Sequence, residues 1–256
     1  MNGEFENDYP DVENNEDVVD RLMFGVDSHI PANRILQNNL SLFEWVVRNK
    51  EYPVFWIRNI VGDDALTAEE IEFLHDAACK ISPLYVDHTV KNTEESGKQI
   101  AERAIVCVSN LGIPKGNVVF VDVSDTETIT TNFMKGYAAT IIKHGYVPGF
   151  KANTDSNYSI FNCEYSRGIQ MFRELFESCF IWATAPTIKE YNQITTTHFI
   201  HPDNWKPYVP SGTRRKKIAI WQYGKSCHEI YDDEDEKVFF NVNLIRNISV
   251  IKNIMF

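Results

Sequence analysis

Acidic side chains close several β-rich runs of this 256-residue sequence. Asp27 follows Phe24-Gly-Val26, Asp87 follows Leu84-Tyr-Val86, and Asp122 ends Val118-Val-Phe-Val121 just ahead of Ser124 and Asp125. Carboxylates gathered in one place can trade protons or accept hydrogen bonds from a ligand, whereas a carboxylate alone at a strand end merely satisfies loop amides. Arg58, after Val54-Phe-Trp-Ile57, reads either as the holder of a carboxylate or substrate oxygen or as a structural neutraliser of the acids. Trp182, Trp221 and Tyr223 carry flat faces that suit the apolar faces of sugar rings, with core packing as the equal alternative for side chains of that size. Side chains alternate along a strand, so Asp122 and Ser124 share one face and Val121 and Val123 the other. If the valines meet helices, the polar pair faces a mouth.

Other groupings carry less. His198, His201 and Asp203 are close in sequence but imply no fourth metal ligand, and His29 and His88 read as loop histidines. The run Asp232–Glu236 lacks the alternating spacing and turn glycine of a calcium loop, so it reads as solvated. Gly112, Gly116, Gly145 and Gly149 precede strands rather than open helices, which makes them punctuation for chain reversal rather than a phosphate cradle. Five cysteines, odd in number and without a CxxC pair, give neither a disulfide framework nor a zinc cluster. No cofactor and no metal is expected.

The elements that must position these residues follow a simple rhythm. Short β-rich runs at 22–26, 54–57, 84–86, 118–123, 147–151, 180–183, 218–222 and 239–244 alternate with longer amphipathic stretches, the pattern of parallel strands joined by crossover helices. Thr67-Ala-Glu-Glu70 is a capping-box opening for a helix that turns Ile71, Leu74 and Ala78 inward. Later helices are predicted to bury Ile100, Ala101, Ala104, Ile105 and Val108, then Phe133, Tyr137 and Ile141. The stretch 187–215, with Pro202, Pro207 and Pro210, reads as a long irregular loop. Eight strands are the number that closes a (β/α)8 TIM-type barrel, so the expectation is an α/β fold with residues 21–256 as one barrel behind a disordered acidic tail, residues 1–20. The formal net charge of -11 argues against nucleic-acid binding, which draws its affinity from Lys and Arg. No basic leader and no run of roughly 18 apolar residues stands in the sequence. The expectation is therefore a chain without a membrane span, cytoplasmic or released without a classical leader, its oligomeric state open.

Six motifs in order make the reading more specific. Phe24-Gly-Val-Asp27, Pro83-Leu-Tyr-Val86, Leu111-Gly-Ile-Pro-Lys-Gly116 with Val119-Phe-Val-Asp122, Gly145-Tyr-Val-Pro-Gly149, Ile181-Trp-Ala183 and Ile220-Trp-Gln-Tyr223 together resemble the glycoside-hydrolase-like TIM-barrel family of bacterial proteins, distant relatives of the family-25 lysozymes. The likeness covers about residues 21–246. It implies a site at the carboxyl ends of the strands and, as partner, an N-acetylated cell-wall glycan such as peptidoglycan. The resemblance retains Asp27, Asp122 and the Trp221-Gln-Tyr223 segment. With the residues read above, the candidate catalytic acids are Asp27 and Asp122 as a pair with Asp87 or Asp125 as donor, Glu127 also lying close enough in sequence to substitute. Arg58, Ser124, Trp182, Trp221, Gln222, Tyr223 and Asn241 are the candidate substrate-binding residues. The chain departs from the family pattern twice. Where the relatives end their fourth strand in Asp-x-Glu, with the Glu as acid, this chain has Asp122-Val-Ser124; where their last strand carries Asp-x-Asn, it has Asn241-Val-Asn243. Glycoside hydrolysis needs a proton donor beside a second carboxylate, and a serine cannot donate in that way at neutral pH. The alternatives are thus a hydrolase and a silent barrel that binds a glycan or a protein partner.

Overall fold

The structure, a computed structural model, describes residues 22–89, 91–124, 128–156, 159–188, 202–231, 237–246 and 254–256. The β-branched and aromatic runs extend as β1 (Met23–Ser28), β2 (Phe55–Asn59), β3 (Lys80–Tyr85), β4 (Val118–Asp122), β5 (Val147–Asn153), β6 (Phe180–Ile188), β7 (Ile218–Tyr231) and β8 (Lys237–Ile245). They pair in sequence order into a closed barrel. Each predicted run overlaps one of the eight, although β3 begins at Lys80, four residues before the expected start at Leu84, and ends at Tyr85. From β1 to β7 the pairs are parallel, but β8 runs antiparallel to both β7 and β1. The all-parallel expectation fails because β7 continues to Tyr231, past the predicted end at Gln222, and only residues 232–236 separate it from β8. A parallel crossover needs about a dozen residues, so this short connection can only return the chain as a hairpin.

Helices α1 (Leu42–Asn49), α2 (Ala68–Asp76), α3 (Glu94–Asn110), α4 (Thr131–Lys143), α5 (Ile160–Met171) and α6 (Arg173–Ser178) lie between strands. The residues expected to face inward on α3 and α4 are all buried. Between these two helices Gly97 and Gly136 allow backbone contact: a Cβ on Gly97 would lie 2.2 Å from the Phe133 carbonyl oxygen, and one on Gly136 2.1 Å from that of Glu94. At α2 half of the expected cap forms. Thr67 accepts from the Glu70 amide, but the Glu70 carboxylate accepts from Arg58 and the Ala32 amide instead of reaching back. Ala78 is exposed at a left-handed φ of 52°, and Cys79 takes the buried position.

Two apolar layers result. An outer one joins strands to helices through residues such as Phe24, Trp56, Val121, Phe150 and Trp221. An inner one fills the barrel with Phe55, Leu84, Phe120, Trp182 and Ile220, closed at the amino-terminal end by Ile254 and Met255. There Phe256 exchanges two backbone hydrogen bonds with Ile81. Gly149 is not punctuation, as the sequence suggested, but an inward position of β5: a Cβ there would meet the Phe120 ring at 2.4 Å, as one on Gly25 would meet Phe55 at 2.3 Å. These glycines make room for bulky neighbours. Two residues further along the same inward faces come Asp27 and Lys151. The acidic tail, Glu127, His198, His201 and the run 232–236 lie outside the described residues.

Candidate functional site

Five strands bring inward side chains to one place at the rim formed by the carboxyl ends of the parallel strands. Asp27 of β1 sits opposite Asn241 of β8 in register. Its Oδ2 accepts from Asn241 Nδ2 at 2.8 Å and its Oδ1 from Asn243 Nδ2 at 2.7 Å. The Asn243 side-chain Oδ1 in turn accepts from Trp182 Nε1 at 2.9 Å, which ties β6 to the same cluster. Asp122 of β4 pairs in register with Lys151 of β5. The Lys151 ammonium lies 3.4 Å from Asp122 Oδ2, 3.6 Å from Asp27 Oδ2 and 4.4 Å from the centre of the Trp182 ring. Sharing one nitrogen at those distances, the two carboxylate oxygens stand no more than roughly 7 Å apart, a limit compatible with the separations of paired carboxylates in glycoside hydrolysis.

The electrostatics decide what this pair can do. Burial by itself would raise Asp122, but Lys151 and the Ser124 hydroxyl and amide outweigh it and hold the carboxyl below its ordinary value. For Lys151 burial pulls downward, and the two carboxylates more than reverse it, so the ammonium keeps its proton. Ser124 donates both its hydroxyl and its backbone amide, the latter at 2.9 Å, to Asp122 Oδ1. Asp122, Lys151 and Ser124 therefore form a set of fixed charges and committed hydrogen bonds at neutral pH, and neither Asp122 nor Ser124 is a proton donor there. Side-chain exposures of 9% for Asp27, 19% for Asp122 and 11% for Lys151 leave the triad reachable only from above the rim.

Other predicted site residues stand elsewhere. Arg58 points to the outer face of β2 and is fully buried: Nε donates to Glu70 at 2.7 Å, and its other nitrogens donate to the carbonyls of Ser28, His29 and Asp64. It clamps the β1 loop to α2, out of reach of any ligand. Trp221 and Tyr223 also face outward and are buried, Trp221 against Trp205 with ring centres 6.0 Å apart and its Nε1 donating to the Ala185 carbonyl. Neither is a stacking platform. Trp182 does face inward, but it is wholly buried as the floor beneath Lys151. Asp87 turns away from the rim to Arg103 of α3 at 2.9 Å, and with Thr89 its carboxyl stays below the ordinary value although burial opposes this. Gln222 is inward and buried, at 3.5 Å from the Thr184 hydroxyl. Asp125 lies outside the described residues.

Lys151 was not among the residues singled out from sequence, though its strand held the signal: alternation puts Val147, Gly149 and Lys151 on one face, level with Asp122 on β4. Lys91 was missed as well. It is 2% exposed and donates to the carbonyls of Asp87 and Thr89, a second cation toward which Asp122 exerts its charge. Among the described residues no group of His, Cys, Asp and Glu is arranged to hold a metal ion, and no helix is long and apolar enough to cross a membrane.

Comparison with known proteins agrees with this architecture. The family model described as "Rv2525c-like, glycoside hydrolase-like domain" matches residues 56–237. Among solved structures, an uncharacterized B. stearothermophilus protein superposes with a TM-score of 0.73 at 22% identity, over 91% of this chain and all of the other. A glycosyl hydrolase 25 of Streptococcus pneumoniae participating in host cell invasion gives 0.52 at 11% identity, over 90% of this chain and 92% of that one. A bacterial lysozyme from Streptomyces coelicolor gives 0.51 at 10%, over 88% and 92%. At such identities the likeness is one of fold. No curated protein matches the sequence.

Proposed function

The chain belongs to the Rv2525c-like, glycoside hydrolase-like domain family, and from that membership we propose that it binds N-acetylated cell-wall glycan, of the peptidoglycan class, at the carboxyl rim of the barrel without cleaving it. The observation that carries the reading is the ammonium of Lys151 set between Asp27 and Asp122. Asp122, held in its charged form by Lys151, and Asp27 beside the same cation offer oriented acceptors for sugar hydroxyls and amides. They are a poor acid/base couple, because cleavage needs one carboxyl to keep a proton for the leaving oxygen. The lysozyme-like fold and the amides of Asn241 and Asn243 beside Asp27 support a rim that once held, and still fits, a glycan.

A second reading has one observation in its favour, the separation of roughly 7 Å or less between the Asp27 and Asp122 oxygens. Hydrolysis would then take its proton from Asp125. One experiment separates the two: calorimetric titration with N-acetylated oligosaccharides alongside release of reducing ends from cell-wall material. Binding without release, weakened about tenfold or more in Asp122→Asn, is the expected result for a loss of charge-assisted hydrogen bonds. Release that vanishes in Asp122→Asn would replace the binding reading with the hydrolytic one, and absence of both signals would remove the glycan from the account.

A further inference from the structure

Beyond Lys151 and Trp182 the strand ends of β5 and β6 continue into the wall of a second hollow. The extension of β6 (Ala185, Pro186 and Thr187) and Asp155 after β5 face the loop residues Lys206, Tyr208 and Arg215 across a cavity of about 540 Å³. That volume is the size of a small-molecule site. Ala185 is three residues past the inward Trp182, about 10 Å along β6, and packs on the outer face with Trp205 and Val209. A polymer that crosses the strand ends from the rim to the outer flank could reach both.

Asp155, Lys206 and Arg215 are exposed on this wall. Among the described residues neither Lys206 nor Arg215 has an ion-pair partner, and Asp155 pairs with neither of them. The neighbouring cations are differently placed: Arg214 reaches Glu177 at 3.8 Å, and Lys217 lies over the Phe180 ring at 4.8 Å. Arg214-Arg-Lys-Lys217 is thus a cationic run in a chain of net charge -11, and of its members Arg215 is the one that lines the cavity. Two cations against one carboxylate, with the Tyr208 ring and Pro186 and Pro207 as apolar walls, suit a ligand group that is anionic and carries some apolar surface.

We propose that this cavity is a second binding site that takes an anionic substituent, a carboxylate or a phosphate, borne by the polymer whose sugars occupy the rim. The inference rests on the glycan-binding reading for the identity of the polymer, and the cavity itself can be tested without it. The test uses the full chain and three probes: a neutral N-acetylglucosamine tetramer, a muramyl disaccharide bearing a peptide with free carboxylates, and poly(glycerol phosphate), which has no sugar ring. In the wild type the carboxylate-bearing disaccharide or the phosphate polymer binds about tenfold more tightly than the neutral tetramer, and in Lys206→Gln/Arg215→Gln that ratio falls to about one. Loss confined to the disaccharide identifies a carboxylate as the natural group, and loss confined to the polymer a phosphate. Failure of the tetramer alone to bind would overturn the rim reading, while the response of the phosphate polymer to the double variant would still support the cavity. Equal affinity of wild type and double variant for both charged probes overturns the inference. So does an equal loss in Lys216→Gln, whose side chain does not line the cavity, because it would reduce the effect to diffuse charge.

Discussion

Replacing Lys151 by Met tests the rim at its centre. Met preserves most of the length and volume over the Trp182 ring, so the change removes a charge rather than packing. At 3.4 and 3.6 Å each carboxylate gains about 5 kcal/mol from the ammonium at an effective dielectric of about 20, and much of that is offset by the cost of burying the charges. Removing one partner of a buried ion pair costs about 3–5 kcal/mol, because its counter-charge is stranded. We expect a deficit of that size by urea denaturation at pH 7. The pH dependence supplies the sharper signature. In the wild type the depressed Asp122 lends stability that is present above the ordinary carboxylate value of about 3.9 and is lost as pH falls through its lower folded value. Without Lys151, burial, which already works to raise Asp122, is opposed only by the hydrogen bonds from Ser124, so the carboxyl moves upward and part of the lost stability is recovered on acidification. The deficit should therefore shrink between pH 7 and pH 4. A deficit that is the same at both pH values, or below about 1 kcal/mol at pH 7, would refute the assignment of Lys151 as the cation that keeps Asp122 ionised.

Two further substitutions probe the frame that holds the rim. Glu70→Gln leaves the buried guanidinium of Arg58 without its counter-charge and should cost about 3–5 kcal/mol by thermal unfolding; a loss below about 1 kcal/mol would mean that the carbonyls of Ser28, His29 and Asp64 suffice. Gly97→Ala gains about 1 kcal/mol of helix propensity, yet its Cβ would meet the Phe133 carbonyl at 2.2 Å, so a net loss of about 1–3 kcal/mol is expected, and an unchanged or raised Tm would show that α3 and α4 separate without penalty.

Strand count and strand position were legible because β-branched runs such as Val118–Val121 are bounded by turn formers and separated by helical spacing. The direction in which each strand side chain points was harder to read. A barrel strand is apolar on both faces, so Phe55-Trp-Ile-Arg58 shows no polar alternation that would place Arg58 outside and Ile57 inside. The same ambiguity hid the outward burial of Trp221 and Tyr223. Asp27 and Asp122 were recognisable as strand-end acids, but a lysine at a strand end looks like an ordinary solvent-facing residue until closure of the ring sets it between them. Glu70 was misassigned for a related reason: its local partner, the cap at Ser/Thr spacing, lost to a long-range guanidinium that sequence distance conceals.

The antiparallel β8 and the buried pair Ile254–Met255 have a consequence for how the molecule comes into being. Because β8 bridges β7 back to β1, the first strand has an unpaired edge until nearly the last residue of the domain has been synthesised. The floor of the ring is sealed later still, by side chains beyond β8. During translation, at about 5–20 residues per second, the growing chain must shield an open sheet for most of its synthesis time. Closure of the ring thus waits on β8 and the residues that follow it, and the sheet is most exposed to aggregation in the interval before they pair.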